Sequence, residues 1–161
     1  MSCKVGKWNP YNWCQDRNFV ITNINLYNFK AKKLRRVIAF ASLVGLTKNL
    51  QTGSKEFVIH VHNEPDIRVQ CDYRDDFFNT VKMAYISIKK NNLKVYGIGR
   101  FKTLTEFCTS ERDVKKGSNR RPLALARLHE EDLMSDDDVL NALKEKKERK
   151  DEEMKTSEVR I

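Results

Sequence analysis

Along this chain, apolar residues first recur in short runs separated by turn-prone residues, and only later at the spacing of a helix. Phe19-Val20-Ile21-Thr22 and Leu26-Tyr27-Asn28-Phe29 flank Asn23-Ile24-Asn25, a pattern that predicts two strands joined by a tight connection. The basic stretch from Lys30 to Arg36 is expected to form the next turn. Val37 to Phe40 and Leu43 to Leu46 are apolar enough to continue the sheet, and Thr47 to Lys55, with Gly53 in it, is a polar interruption. The clearest strand is Glu56 to Val61. Ile67 to Cys71 should be its hairpin partner, because Asn63-Glu64-Pro65-Asp66 between them is a strong turn signal.

The period then changes. Phe77, Val81, Ala84 and Ile88 fall four, three and four residues apart, so they share one face of a helix starting near Asp72. Asp72 is the expected N-cap, Asp75 and Asp76 suit the positive end of the helix dipole, and Lys89-Lys90-Asn91-Asn92 is a stop signal. Leu93 to Ile98 should add a strand loosened by Gly97 and Gly99. Thr103-Leu104-Thr105-Glu106 matches a capping box and predicts a short helix to about Glu111, with Leu104, Phe107 and Cys108 inward. This order is that of an α+β fold, a small β-barrel capped by an amphipathic helix.

Charge sharpens the picture because it is uneven. Residues 1–121 hold 23 Lys and Arg against 10 Asp and Glu, a net of +13, whereas residues 122–161 hold 8 against 12, a net of −4. A basic body can attract anionic lipid, an acidic protein surface such as a microtubule, or nucleic acid. Nucleic acid ranks last, since no recognition motif or aromatic platform is present. With 40% hydrophobic residues the 161-residue chain can build one modest core. No run suits a membrane span and the N-terminus has no apolar signal region, so a cytoplasmic protein with four reduced thiols (Cys3, Cys14, Cys71, Cys108) is expected.

One set of residues resembles a known family. Trp13 to Thr22, Leu26 to Phe29, Glu56 to Val61, Ile67-Arg68-Val69 and Asp75 to Tyr85 are similar to a pleckstrin-homology-type domain. Within that superfamily they most resemble the tail homology domain of class I myosins, in its stand-alone protist version. The resemblance covers roughly residues 4 to 121 and implies a pleckstrin-homology-like antiparallel barrel or sandwich over residues 1–121. Residues 122–161 would then be a charged, partly helical C-terminal extension. No Gly-rich Walker loop is present, so no motor is expected.

The resemblance also implies where an anion would bind, on basic residues of the first two strands. Lys4, Lys7 and Arg17 are the candidates here, with Gln15 standing where a second cation would complete the pair and Asn9-Pro10-Tyr11-Asn12 adding no charge. Lys30, Lys32, Lys33, Arg35 and Arg36 form a denser patch that is either a membrane or acidic-partner contact or a solvated turn. A second basic loop carries Lys115, Lys116, Arg120 and Arg121. His60 and His62 alternate along one strand face, but two imidazoles are an incomplete metal site, so both are expected on the solvent side with no metal. The acids assemble no catalytic set, and neither catalysis nor a cofactor is expected.

In the tail, Leu123, Leu125, Leu128, Val139, Leu140 and Leu143 could dock on a partner, and Ser135 with Asp136 to Asp138 marks a helix start. Nearly every residue beyond Lys144 is charged, so that part cannot be core. Val159-Arg160-Ile161 at the end is too common a pattern to weigh. Two functions follow. The first is an architectural, non-catalytic component of a cytoskeletal or ciliary (axonemal) assembly that contacts acidic protein. The alternative is a peripheral membrane adaptor for anionic phospholipids or phosphoinositides.

Overall fold

The computed structural model describes residues 1–98, 104–117 and 148–155. Strands β1 (Ser2–Trp8), β2 (Cys14–Ile21), β3 (Asn25–Lys30) and β4 (Lys33–Ala39) form an antiparallel meander. A 3-10 turn at Phe40–Ser42 leads into β5 (Leu43–Asn49), β6 (Glu56–Val61) and β7 (Ile67–Gln70), a second antiparallel set. Helix α1 (Arg74–Lys89) follows, and β8 (Val95–Ile98) then returns to pair in parallel with β5. The strand order is β4-β3-β2-β1-β7-β6-β5-β8, and β1 joins β7 only at Gly6–Gln70 and Lys7–Val69. The sheet therefore folds over at that corner without closing.

Alternation decides the core. Cys3 and Val5 of β1, Phe19 and Ile21 of β2, Leu26 of β3 and Ile38 of β4 face Phe57, Ile59 and Val61 of β6 across one apolar interior. Helix α1 closes one end: Phe77 lies 6.1 Å from the Phe19 ring and 5.0 Å from the Phe57 ring, and Phe78 meets Phe57 edge-on at 5.1 Å. Arg74 fixes the helix start by donating to the carbonyls of Asn49 and Glu56, both 3.0 Å away. The opposite end gathers loop 9–13, turn 31–32 and turn 62–66, where Arg36 donates to the Pro65 carbonyl (2.9 Å).

Several expectations change. Lys30 to Arg36 is mostly strand, for only Ala31 and Lys32 turn, with Ala31 at φ 51°. The cross-strand bonds to β3 outweigh the low strand preference of a lysine run. The buried face of α1 is Phe77, Phe78, Val81 and Tyr85, with Ala84 half-buried and Ile88 exposed, because the helix lies across a barrel end that is wider than one stripe. Tyr73 takes the position before the helix, and Asp72 instead pairs with Lys55 at 2.7 Å in solvent. The capping box belongs to Ser110 and Asp113 at the start of α2 (Glu111–Lys115), after a 3-10 turn at Leu104–Phe107; Thr103 lies outside the described residues, as does the 121/122 boundary.

The largest departure is on the outer face of β6. Val58 packs with Tyr96, Ile98 and Leu104, so residues 104–110 lie over a surface that alternation alone would leave to water. His60 is beneath them, fully buried rather than on the solvent side. Its Nδ1 lies 2.8 Å from Asp66 Oδ2 and its Nε2 2.6 Å from Thr47 Oγ1, both consistent with hydrogen bonds. Asp66 also accepts from the backbone N–H of Val61 (3.1 Å) and of Thr109 (3.0 Å), and its own N–H donates to the Thr109 carbonyl (2.8 Å). His62 is exposed, so the two histidines share no environment. Residues 148–155 are helical and exposed, within the charged stretch expected to lie outside the core.

Candidate functional site

The barrel end opposite α1 collects polar side chains from four strands, three of them cations. On β1, alternation carries Cys3 and Val5 inward and so brings Lys7 to the same face at the strand's last turn toward the open end. On β2 the inward series runs Gln15, Arg17, Phe19, Ile21. Asn28 of β3 stands opposite Phe19 and Arg36 of β4 opposite Asn28, so both continue this face. Lys7, Gln15, Arg17, Asn28 and Arg36 thus replace apolar side chains where the interior opens.

Arg17 is the centre of the group. Only 6% of it is exposed, yet among the described residues no carboxylate pairs with it. It donates to the Asp16 carbonyl and to Gln15 Oε1, each at 2.8 Å. Gln15 therefore orients the guanidinium, a role that the sequence pattern did not suggest. Arg17 Nε and Asn28 Oδ1 are buried and have no partner. Lys7 is pushed below the ordinary lysine range, first by burial and then by the positive charges of Arg17, Arg36 and Arg35. Burial also works against the charge of Arg36, while Glu64, 3.8 Å away, and Asp66 favour it. A buried guanidinium among cations that repel it is costly, and a bound anion would relieve both the repulsion and the unmet hydrogen bonding.

The other candidates divide. Lys4 points to the opposite face of β1 from Lys7 and is exposed. Lys30, Lys32, Lys33 and Arg35 are exposed around the β3–β4 turn, at the rim of the same opening. Lys115 and Lys116 are exposed by α2, where Lys115 lies 3.7 Å from Glu111. Arg120, Arg121 and the six tail residues Leu123, Leu125, Leu128, Val139, Leu140 and Leu143 lie outside the described residues.

Beside the opening, loop 9–13 is held by its own backbone and by Asn9. Asn9 Oδ1 accepts from the N–H of Tyr11 (3.0 Å) and of Trp13 (2.9 Å), and the Asn9 N–H donates to the Trp13 carbonyl (2.9 Å). Asn12 takes the left-handed conformation this tight loop needs, at φ 64°. Arg68 of β7 ties the loop to the rest: it lies 4.7 Å from the Trp8 ring and donates to Asn12 Oδ1 (3.0 Å) and Thr105 Oγ1 (2.9 Å). Among the described residues no helix is long and apolar enough to cross a membrane, and no group of three His, Cys, Asp or Glu is placed to hold a metal.

Cys3 and Cys71, distant in sequence, meet inside the barrel. Burial, and then the neighbouring Cys71, push the Cys3 thiol up to about 12, so it is a packing group and not a nucleophile.

Two antiparallel sets of strands meeting at a corner, with a helix across one end and cations at the other, are an α+β arrangement. The order of strands and capping helix is the one the sequence predicted, with the sheet left open. No protein-family model and no curated protein sequence matches the chain. Solved structures similar to it include the human pleckstrin-homology domain of oxysterol-binding protein-related protein 11, 19% identical over 57% of this chain and 88% of that one, with a TM-score of 0.42. The N-terminal pleckstrin-homology domain of human ARAP2 is 13% identical over 55% of this chain and 81% of that one (TM-score 0.47). The Slm1 pleckstrin-homology domain, solved with phosphoserine, is 16% identical over 53% of this chain and 93% of that one (TM-score 0.45). None of these three is a myosin tail domain.

Proposed function

We propose that this chain is a non-catalytic binding module that holds a phosphorylated, polyanionic headgroup at the open end of the barrel. Lys7, Arg17 and Arg36 supply the charge, Gln15 and Asn28 the polar contacts, and Lys30, Lys32, Lys33 and Arg35 a diffuse positive rim. The observation that carries the reading is Arg17, nine-tenths buried, with its Nε unpartnered and, among the described residues, no carboxylate paired with it. A buried charge left in that state is expensive unless something pairs with it. The absence of a cation at position 15 would argue for an assembly component that contacts acidic protein, but Gln15 serves the same opening by fixing Arg17. The cytoskeletal or ciliary reading uses the same basic faces together with the tail; the recessed, buried Arg17 favours a small phosphorylated headgroup over a broad acidic protein surface.

The test uses the full chain with phosphatidylcholine vesicles containing either phosphatidylserine or a phosphoinositide, at low and physiological salt. Calorimetry with a soluble inositol phosphate runs alongside. Phosphoinositide binding that persists at physiological salt, is competed by the soluble headgroup and falls about tenfold or more in Lys7→Gln or Arg36→Gln agrees with the proposal. Sedimentation only at low salt, equal for both anionic lipids, would reduce the site to a screened surface charge and overturn it.

A further inference from the structure

Both antiparallel sets of strands carry apolar side chains on the face that alternation would leave to water, yet among the described residues only one of those faces is covered. Over β6, residues 104–110 bury Val58 and His60. Across the β2–β4 meander, strand pairing lines the outward positions up in two rows: Val20 beside Tyr27 beside Val37, and Asn18 beside Phe29 beside Leu34. Val20, Tyr27, Phe29, Leu34 and Val37 thus form one apolar patch on three strands. None of the five belongs to either apolar cluster of the core, and Leu34 and Val37 are 46% and 43% exposed. Contiguous apolar surface of this kind on a sheet marks a contact. Lys4 flanks the patch on β1, opposite Asn18, and exposed Lys30, Lys32 and Lys33 edge it at the β3–β4 turn.

Charge and chain length point to the occupant. Residues 129–143 hold Glu130, Glu131, Asp132, Asp136, Asp137 and Asp138 without one Lys or Arg, and interleave them with Leu133, Met134, Val139, Leu140 and Leu143. An apolar segment with a negative surround meets an apolar face with a positive one. The described body ends at Gly117, and extended chain from there to His129 reaches about 40 Å, comparable to the width of a domain of this size. We propose that residues 129–143 dock in cis on the outer face of β2, β3 and β4, with their leucines against Tyr27, Leu34 and Val37 and their acids toward Lys4 and the β3–β4 turn. The segment then does for this face what residues 104–110 do for β6. The patch lies on the face away from Lys7, Arg17 and Arg36, so the contact stands or falls apart from the headgroup reading.

Hydrogen exchange on the full chain tests the proposal. In wild type the amides of residues 133–143 should exchange at least about tenfold more slowly than in a free peptide of residues 129–147, and equally so at every protein concentration. Leu34→Thr combined with Val37→Thr puts strand-forming polar residues at two exposed positions. It should return those amides to the peptide's rate and leave exchange at Phe57 and Ile59 unaltered. Leu140→Ser combined with Leu143→Ser changes no residue of the sheet, so it decides the matter if the first variant unfolds. It should give the same loss of protection and open Tyr27 and Val37 to a soluble paramagnetic probe. The proposal is overturned if residues 133–143 exchange at the peptide's rate in wild type, or if either folded double variant keeps the protection. Protection that fades on dilution, together with a dimer in light scattering, would put a second copy on the face and overturn it as well.

Discussion

Two polar clusters buried among the described residues are finished to different degrees. Around His60, Asp66 and Thr47 the inventory is complete: both imidazole nitrogens have partners, and the carboxylate receives the ring and two backbone N–H groups. Around Arg17 and Asn28 it is incomplete, with one donor and one acceptor unmet and three further cations close by. The first cluster joins pieces of the chain to one another and leaves nothing to recruit. The second carries charge and unmet bonding at an opening, which is what a binding site needs before its ligand arrives. Burial of polar groups alone does not distinguish the two clusters; the count of unmet partners does.

The comparison breaks most visibly at Asp66. Asp66→Ala leaves three buried donors without an acceptor and should cost about 3–5 kcal/mol of stability in denaturant unfolding at neutral pH. Arg17→Met should act in the opposite way. It removes an unpaired buried charge, so stability in the same assay stays level or rises, while affinity for a soluble inositol phosphate drops by about 1.5–3 kcal/mol in calorimetry. A stability loss equal to that of Asp66→Ala would erase the distinction between the clusters. Arg68→Lys loses the forked contacts to Asn12 and Thr105 and the stacking on Trp8, for about 1 kcal/mol, and should speed hydrogen exchange at the Tyr11 and Trp13 amides.

The smallest effect is electrostatic. Because Lys7 is depressed in the folded protein, the unfolded chain binds more protons just below pH 10.5, and stability gains with rising pH through that window. Cys3, raised from 9.0 to about 12, works the other way above pH 9. Subtracting the Lys7→Met profile from that of wild type cancels the cysteine. The remaining difference should increase toward pH 10.5, and a bound inositol phosphate should flatten it by returning Lys7 to its charged form.

Local pattern carried much of the fold. Glu56–Val61 and Ile67–Gln70 form the strands expected on either side of the Asn63–Asp66 turn, and Asp75 and Asp76 do lie in the first turn of α1. Lys7, Arg17 and Arg36 were legible as candidate cations, though only the resemblance suggested that the first two belong together. The rest depends on what covers what. Nothing near Val58 or His60 announces that residues 104–110 will lie over them, and nothing in a lysine run states that its cross-strand bonds will make it β4. Gln15 illustrates the same limit: its worth comes from the guanidinium two residues on, which a scan for charge passes over.

The contact between Asp66 and Thr109 spans 43 residues and has a consequence for birth on the ribosome. Strands β1 to β7 and α1 can assemble while later residues are still in the exit tunnel, but Val58 and His60 wait for Tyr96, Ile98 and Leu104 before they lose contact with water. A nascent chain that has emerged from the tunnel only as far as about residue 94 thus shows an apolar sheet face and an unpaired edge at β5, the features by which chaperones recognise unfinished clients. Emergence of β8 pairs the edge, and emergence through Thr109 completes the cover.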